Sequence, residues 1–181
     1  MANISEIAQL GAQVLRLQAQ AVTDMQSAEI QQIIETLQDT LATTQGVGLA
    51  APQISVSKRI IIIASRPTPR YPSAPLMEPT VMINPAFQTL SDIREKDWEG
   101  CLSIPGIRAL VPRYKDILIN YTNQEGGLVE TRLEGFIARV FQHEFDHLEG
   151  KVYLDRVEDN RDIIAESEYF KIGGFNSEVQ S

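Results

Sequence analysis

The alternation of apolar and polar positions divides the chain into helical and extended stretches. Ile30, Ile33, Ile34, Leu37 and Leu41 recur every three or four residues, a spacing that lays one stripe along a helix, so a helix is expected from about Ser27 to Thr43. Ile7, Leu10, Val14 and Leu17 follow a similar rule and predict a helix within Ile4 to Gln18, its C-terminal part open to an extended form. Arg59-Ile60-Ile61-Ile62-Ile63-Ala64 is a β-branched run and reads as a buried strand. Shorter strands are expected at Val81–Asn84, Phe87–Leu90, Lys96–Leu102, Arg108–Val111, Asp116–Tyr121 and Leu128–Leu133, with a hairpin turn over Asn123 to Gly127. Prolines between Pro67 and Pro79 mark an exposed loop, and Phe136, Ile137, Val140, Phe141 and Phe145 place a second helix over Glu134 to Leu148, stopped by Gly150. The pattern predicts an α+β fold in which a central helix packs against small, mostly antiparallel sheets.

Composition narrows this further. A chain of 181 residues with 43% hydrophobic content can enclose one substantial core, so a single domain is expected. The polar stretch after about Arg156 is expected to be a partly disordered tail. The formal charge of -8 repels polyanions and predicts no nucleic-acid surface. No apolar run is long enough to cross a bilayer and the first residues do not resemble a targeting signal, so a cytoplasmic protein is expected. A lone cysteine, Cys101, cannot form an internal disulfide and stays free for chemistry.

The chemistry concentrates in His143-Glu144-Phe145-Asp146-His147. Two imidazoles four residues apart share a helix face and can reach one ion. Two histidines placed at random in such a chain fall four apart in about 1% of cases, which argues against ordinary surface or core histidines. A third protein ligand is needed, with a fourth position open for water. Cys101 is the natural candidate, since Gly100 ends a strand where a thiol can turn toward a neighbouring helix. A nucleophilic cysteine with a histidine base is the rival chemistry, but it leaves the helical pair and its glutamate unexplained. Glu144, between the ligands, suits a general base that then acts as general acid. Asp146 reads equally as a solvated charge or as a partner of Arg113 or another cation. Ligand type alone suits zinc and iron(II) alike.

Gly46-Val47-Gly48-Leu49-Ala50-Ala51-Pro52-Gln53 follows a helix and lacks the lysine of a phosphate loop, so a tight structural turn is the simpler reading of its glycines. This block, Glu99-Gly100-Cys101-Leu102-Ser103 and Gln142-His143-Glu144-Phe145-Asp146-His147, in this order and spacing, closely resembles the peptide deformylases, from roughly Ile7 to Asp155. Ser103-Ile104-Pro105 and Arg108-Ala109-Leu110-Val111-Pro112-Arg113 extend the match, whereas Gly11-Ala12-Gln13 departs from the family's usual Gly-Asp-Pro.

The resemblance implies removal of the N-formyl group from the initiator methionine of nascent chains, with release of formate. It implies one divalent ion, iron(II) in many members and replaceable by zinc or nickel, held by Cys101, His143 and His147. It assigns acid/base catalysis to Glu144, oxyanion stabilisation to Gln53 and the Leu102 N–H, and peptide binding to Val47, Gly48 and Arg108. Val140 or Ile137 could line a pocket for the methionine side chain. Formylmethionyl nascent peptides are the expected partners, with the ribosome open as another. Two other classes compete: a zinc endopeptidase, which would take its third ligand downstream, and a metal-binding protein without turnover.

Overall fold

The computed structural model describes residues 3–68 and 71–172. Its architecture follows from the isoleucine run. Strand β2 (Ile60–Ser65) sits inside a five-stranded sheet with β1 (Gly48–Ala50), β3 (Met77–Thr89), β6 (Asp116–Thr122) and β7 (Leu128–Glu134), in the order β1-β2-β3-β6-β7. Successive side chains of a strand leave opposite faces. Here Ile60 and Ile62 join Val81 and Ile83 under helix α1 (Ala28–Ala42), while Ile61 and Ile63 join Met82, Ile117 and Ile119 under helix α2 (Gly135–Leu148). Both faces are covered, so an unbroken apolar run was required where a half-exposed strand would alternate.

Helix α1 begins at Ser27, whose Oγ accepts a hydrogen bond from the Ile30 N–H, and buries the predicted stripe of Ile30, Ile33, Ile34, Leu37 and Leu41. The far side of α2 meets a second sheet formed by β4 (Arg94–Cys101), β5 (Ile104–Tyr114) and β8 (Ile163–Ala165). The named strands pair antiparallel throughout, as expected. The central helix is thus clamped between two sheets, and ten of its fourteen residues are buried, which explains why polar side chains on it must find partners.

Three expectations change in detail. The stretch from Ile4 to Gln18 forms only a 3-10 turn at Gln13–Arg16, and Leu10 and Leu17 are exposed. Part of its backbone bonds to other segments: the Ala8 N–H donates to the Gln53 carbonyl at 2.8 Å and the Leu10 N–H to the Ser103 carbonyl at 2.9 Å. A short isolated helix is marginal, and these tertiary bonds win. Val81–Asn84 and Phe87–Leu90 fuse into one strand, β3, whose register shifts between Ile83 and Ala86. Asn84 absorbs the shift in a left-handed conformation, its side chain exchanging two hydrogen bonds of 2.8 Å with the Val22 backbone. Beyond Arg156 the polar stretch carries more structure than its composition suggests, with β8 pairing along β5 and α3 (Glu166–Ile172) following; residues 173–181 of that expected tail lie outside the described ones. The proline loop keeps Leu76 exposed but buries Ala74.

Candidate active site

Helix geometry brings His143 and His147 one turn apart on the α2 face that meets the end of β4. Cys101 closes β4, and its Sγ lies 3.4 Å from His147 Nε2. One ligand atom from each of Cys101, His143 and His147 can be chosen so that all lie within 4.8 Å of one another. A tetrahedral ion with bonds of roughly 2.0–2.3 Å would hold its ligands about 3.5 Å apart, so the three groups need only small adjustments to fit one.

His143 is oriented from behind. Its Nδ1 lies 2.9 Å from Glu99 Oε2. Burial pushes the Glu99 carboxylate up, but the Arg113 guanidinium, helped by His143, holds it well below the usual range. Because Glu99 is therefore ionised, His143 must donate through Nδ1, which leaves Nε2 for the cleft. Tyr153 stacks on the same imidazole at 5.8 Å between ring centroids. His147 lacks such support: its Nδ1 is buried with no partner among the described residues.

Glu99 is the hub of a buried ionic network. Arg113 donates to both its oxygens at 2.8 and 3.0 Å, and Arg139 donates to Oε1 at 2.9 Å. Arg113 also reaches Asp146 Oδ2 at 2.6 Å, and Arg156 reaches Asp146 Oδ1 at 2.6 Å. Asp146 thus takes the partner foreseen for it and ties the ligand helix to β5. Glu99 had no predicted role, although it stood in the quoted Glu99–Ser103 block: a carboxylate two residues before a candidate ligand was the available signal.

The thiol and His143 complement each other. Burial raises the Cys101 thiol, yet His147 and His143 outweigh it and hold it well below the ordinary thiol value. Burial lowers His143, yet Cys101 and Glu99 hold it well above the ordinary imidazole value. The pair favours a thiolate beside a protonated His143, and a cation bound there would keep the thiolate and take the place of that proton. Glu144 differs. Burial pushes its carboxyl up to about 7, only partly offset by His143 and His147, and Oε2 has no partner among the described residues. It is a buried carboxylate poised to exchange a proton near neutrality.

The cleft around these groups is lined by Val47, Gly48, Gln53, Cys101, Leu102, Arg108, Val140, His143 and Glu144, so nearly every candidate converges on it. His147 is fully buried behind it, and Ile137 is absent from the lining. Gly48 is more than a turn residue: it starts edge strand β1, and a Cβ there would stand 2.4 Å from Glu144 Oε1. Gln53 is held by the Ala50 N–H, which donates to its Oε1 at 2.9 Å and so turns the amide group toward Ser103 Oγ at 3.2 Å and Cys101 Sγ at 3.5 Å. Tyr71 and Phe136, unassigned in the sequence, complete the apolar wall with ring centroids 4.8 Å apart.

The family model described as polypeptide deformylase matches residues 4–162. The chain belongs to that family. Members are metal-dependent hydrolases that remove N-formyl groups from nascent proteins. Peptide deformylase 2 of Nostoc sp. is 52% identical over 163 residues, covering 90% of this chain and 91% of its own. Peptide deformylase 1 of Nitrosomonas europaea is 42% identical over 158 residues, 87% of this chain and 90% of its own. Among solved structures, a class I type b peptide deformylase from Acinetobacter baumannii with Met-Ala-Ser bound superposes with a TM-score of 0.84 at 40% identity, over 87% of this chain and all of that one.

The ionic network makes a stability prediction for this deformylase fold. Arg113→Met leaves Glu99 and Asp146 buried with fewer countercharges and should cost about 3–5 kcal/mol, read by denaturant unfolding. Asp146 is also held below its ordinary value: burial raises it, but Arg156 and Arg113 prevail. Carboxylates lowered in this way contribute stability that is complete above the unfolded carboxylate range and is lost as pH falls through the folded values. The variant should therefore unfold at a higher pH than the parent on acidification. A loss under about 1 kcal/mol would mean the network is dispensable.

Proposed function

We propose that this chain is one catalytic domain that deformylates the N-terminal methionine of new proteins through an ion held by Cys101, His143 and His147. The observation that carries the reading is the convergence of those three donors beside an enclosed carboxylate, Glu144, whose Oε2 has no partner among the described residues, at the edge of the cleft. The donor set of one thiolate and two imidazoles suits iron(II), and zinc or nickel as substitutes. When bound, the ion supplies Lewis acidity and a reactive water at its open position.

Glu144 takes the proton of the attacking water and returns it to the departing amine. Gln53 and Leu102 line the cleft, and the Gln53 amide and the Leu102 N–H would donate to the formyl oxygen as charge gathers there, typically about 3 kcal/mol for each such donor. The edge of β1 from Gly48 offers backbone to an extended peptide, with Val47 and Arg108 beside it. Val140, Tyr71 and Phe136 supply apolar surface for the methionine side chain. The Acinetobacter structure has Met-Ala-Ser bound, a peptide of the kind this reaction would release. A cysteine needed as thiolate fits a reducing cytoplasm, where nascent chains emerge from the ribosome.

The test is formate release from formyl-Met-Ala-Ser by protein purified anaerobically, with bound iron, zinc and nickel quantified. Activity is expected with iron bound, to vanish on chelation, and to be absent on unformylated or internal bonds. Cleavage of internal bonds would favour an endopeptidase, and metal without formate release would sink the proposal. Cys101→Ser should weaken metal binding by about 100-fold or more, because losing even an orienting partner of a ligand costs 10–100-fold. Unchanged metal content would remove Cys101 from the ligands.

A further inference from the structure

The chain from Ser5 to Ala19 bonds in turn to each of the three blocks that supply the site. It starts on α1, where the Ser5 N–H donates to Thr40 Oγ1 at 3.0 Å. Next, the Ala8 N–H donates to the Gln53 carbonyl at 2.8 Å, Gln9 Nε2 to the Leu102 carbonyl at 3.3 Å, and the Leu10 N–H to the Ser103 carbonyl at 2.9 Å. Farther on, the Ala19 N–H donates at 2.8 Å to the carbonyl of Leu148, the residue after His147.

Apolar burial does not explain the part of this strap between Ile7 and Leu15. Ile7 packs against the core under α1 and Leu15 is fully buried, but no side chain between them is, and Gln9, Leu10 and Gly11 are exposed. Each hydrogen bond of this kind adds only about 1 kcal/mol to the fold. Their partners give them another use. Gln53 sits in a single 3-10 turn, Ala51–Ile54, and Leu102 and Ser103 form the two-residue turn between β4 and β5. Gln53 Nε2 already reaches Ser103 Oγ at 3.2 Å, so the two turns are joined once through side chains and a second time through the strap. Only the two backbone dihedrals of Leu102 separate its N–H from the carbonyl that Gln9 holds.

We propose that Ala8, Gln9 and Leu10 are positioning residues: by holding the carbonyls of Gln53, Leu102 and Ser103 they set the separation and aim of the Gln53 amide and the Leu102 N–H, the two donors to the formyl oxygen. Such donors act on charge that exists only in the transition state, so their misplacement is felt in kcat and not in binding. The inference rests on the deformylase reading of the cleft.

The experiment measures kcat and KM of the metal-loaded enzyme on formyl-Met-Ala-Ser, with bound metal and the calorimetric affinity of the product Met-Ala-Ser followed beside them. Ala8→Pro and Leu10→Pro each delete one N–H and should lower kcat about tenfold, while KM, metal content and product affinity stay within about twofold. Gln9→Leu deletes the side-chain donor, leaves the backbone untouched and should lower kcat about threefold. On top of Gln53→Ala, Ala8→Pro should change kcat by less than about twofold, whereas Leu10→Pro should keep its full effect, because only the first acts through Gln53. Unchanged kcat in the three strap variants overturns the proposal. So does a fall in metal content and product affinity in step with kcat, which would make the strap a purely structural belt. Should either proline variant fail to fold, Gln9→Leu decides alone, and parental kcat in it overturns the proposal. A parent that releases no formate, or a Gln53→Ala enzyme with parental kcat, overturns instead the reading of the cleft on which the proposal rests.

Discussion

Glu144→Gln should keep its metal and lose between about 100-fold and 10,000-fold in kcat, the range expected when a positioned acid/base is removed. The amide has the shape of the carboxyl group but cannot accept the proton that attack requires. Stability should move in the opposite direction. Glu144 is 5% exposed, its Oε2 is without a partner among the described residues, and burial has pushed its carboxyl up to about 7, so the folded protein carries a charge it would rather shed. A neutral side chain relieves that penalty, and the melting temperature should hold or rise, as at other sites where function is kept at a cost in stability. Formate release, metal content and thermal unfolding of the one variant check all three. Retention of more than about a tenth of the parental kcat would end the assignment of Glu144.

Gly48→Ala should damage the same step without altering the chemistry of any catalytic group. The added Cβ would stand 2.4 Å from Glu144 Oε1 and 2.8 Å from its Cδ and Cγ, closer than carbon tolerates. β1 is hydrogen-bonded to β2 with Gly48 opposite Ile63, so the backbone has little freedom to retreat and the carboxylate must move. The expected loss in kcat is about 100-fold or more, because small misplacements of a catalytic group cost that much. Gly46→Ala is the control: its Cβ would meet Leu102 Cδ1 at 3.1 Å, which is tight but lies against a movable side chain. In the double variant Gly48→Ala with Glu144→Gln, kcat should fall no further than in Glu144→Gln alone. Additive losses would mean that Gly48 acts through the peptide and not through Glu144.

The parts legible in the sequence were those where one local rule operated alone. The stripe of α1, the isoleucines of β2 and the two imidazoles of α2 each follow from a single periodicity. The segment before Gln18 defeated that logic because its backbone donors go to Gln53 and Ser103, partners far along the chain. Strand β8 is three residues long, too short to show a period, and forms because Arg108 and its neighbours offer an edge. At the site, residues that face the cleft were found by motif and resemblance, whereas Glu99 was passed over. Its role is visible only when Arg113, Arg139 and His143 converge on one carboxylate from two different elements.

The burial of α2 between two sheets has a consequence for how the protein breathes. A helix on the surface can fray while the rest of a domain stays folded, but Ala138 to Glu144 form an unbroken buried run, and Ala138, Val140 and Phe141 belong to the core under the five-stranded sheet, so exposing the helix opens that core. The backbone amides of His143, Glu144 and His147 should therefore be among the slowest to exchange with solvent, which hydrogen-exchange measurements would check. An ion bound by the folded chain and not by the unfolded one would add to the stability of the fold by mass action.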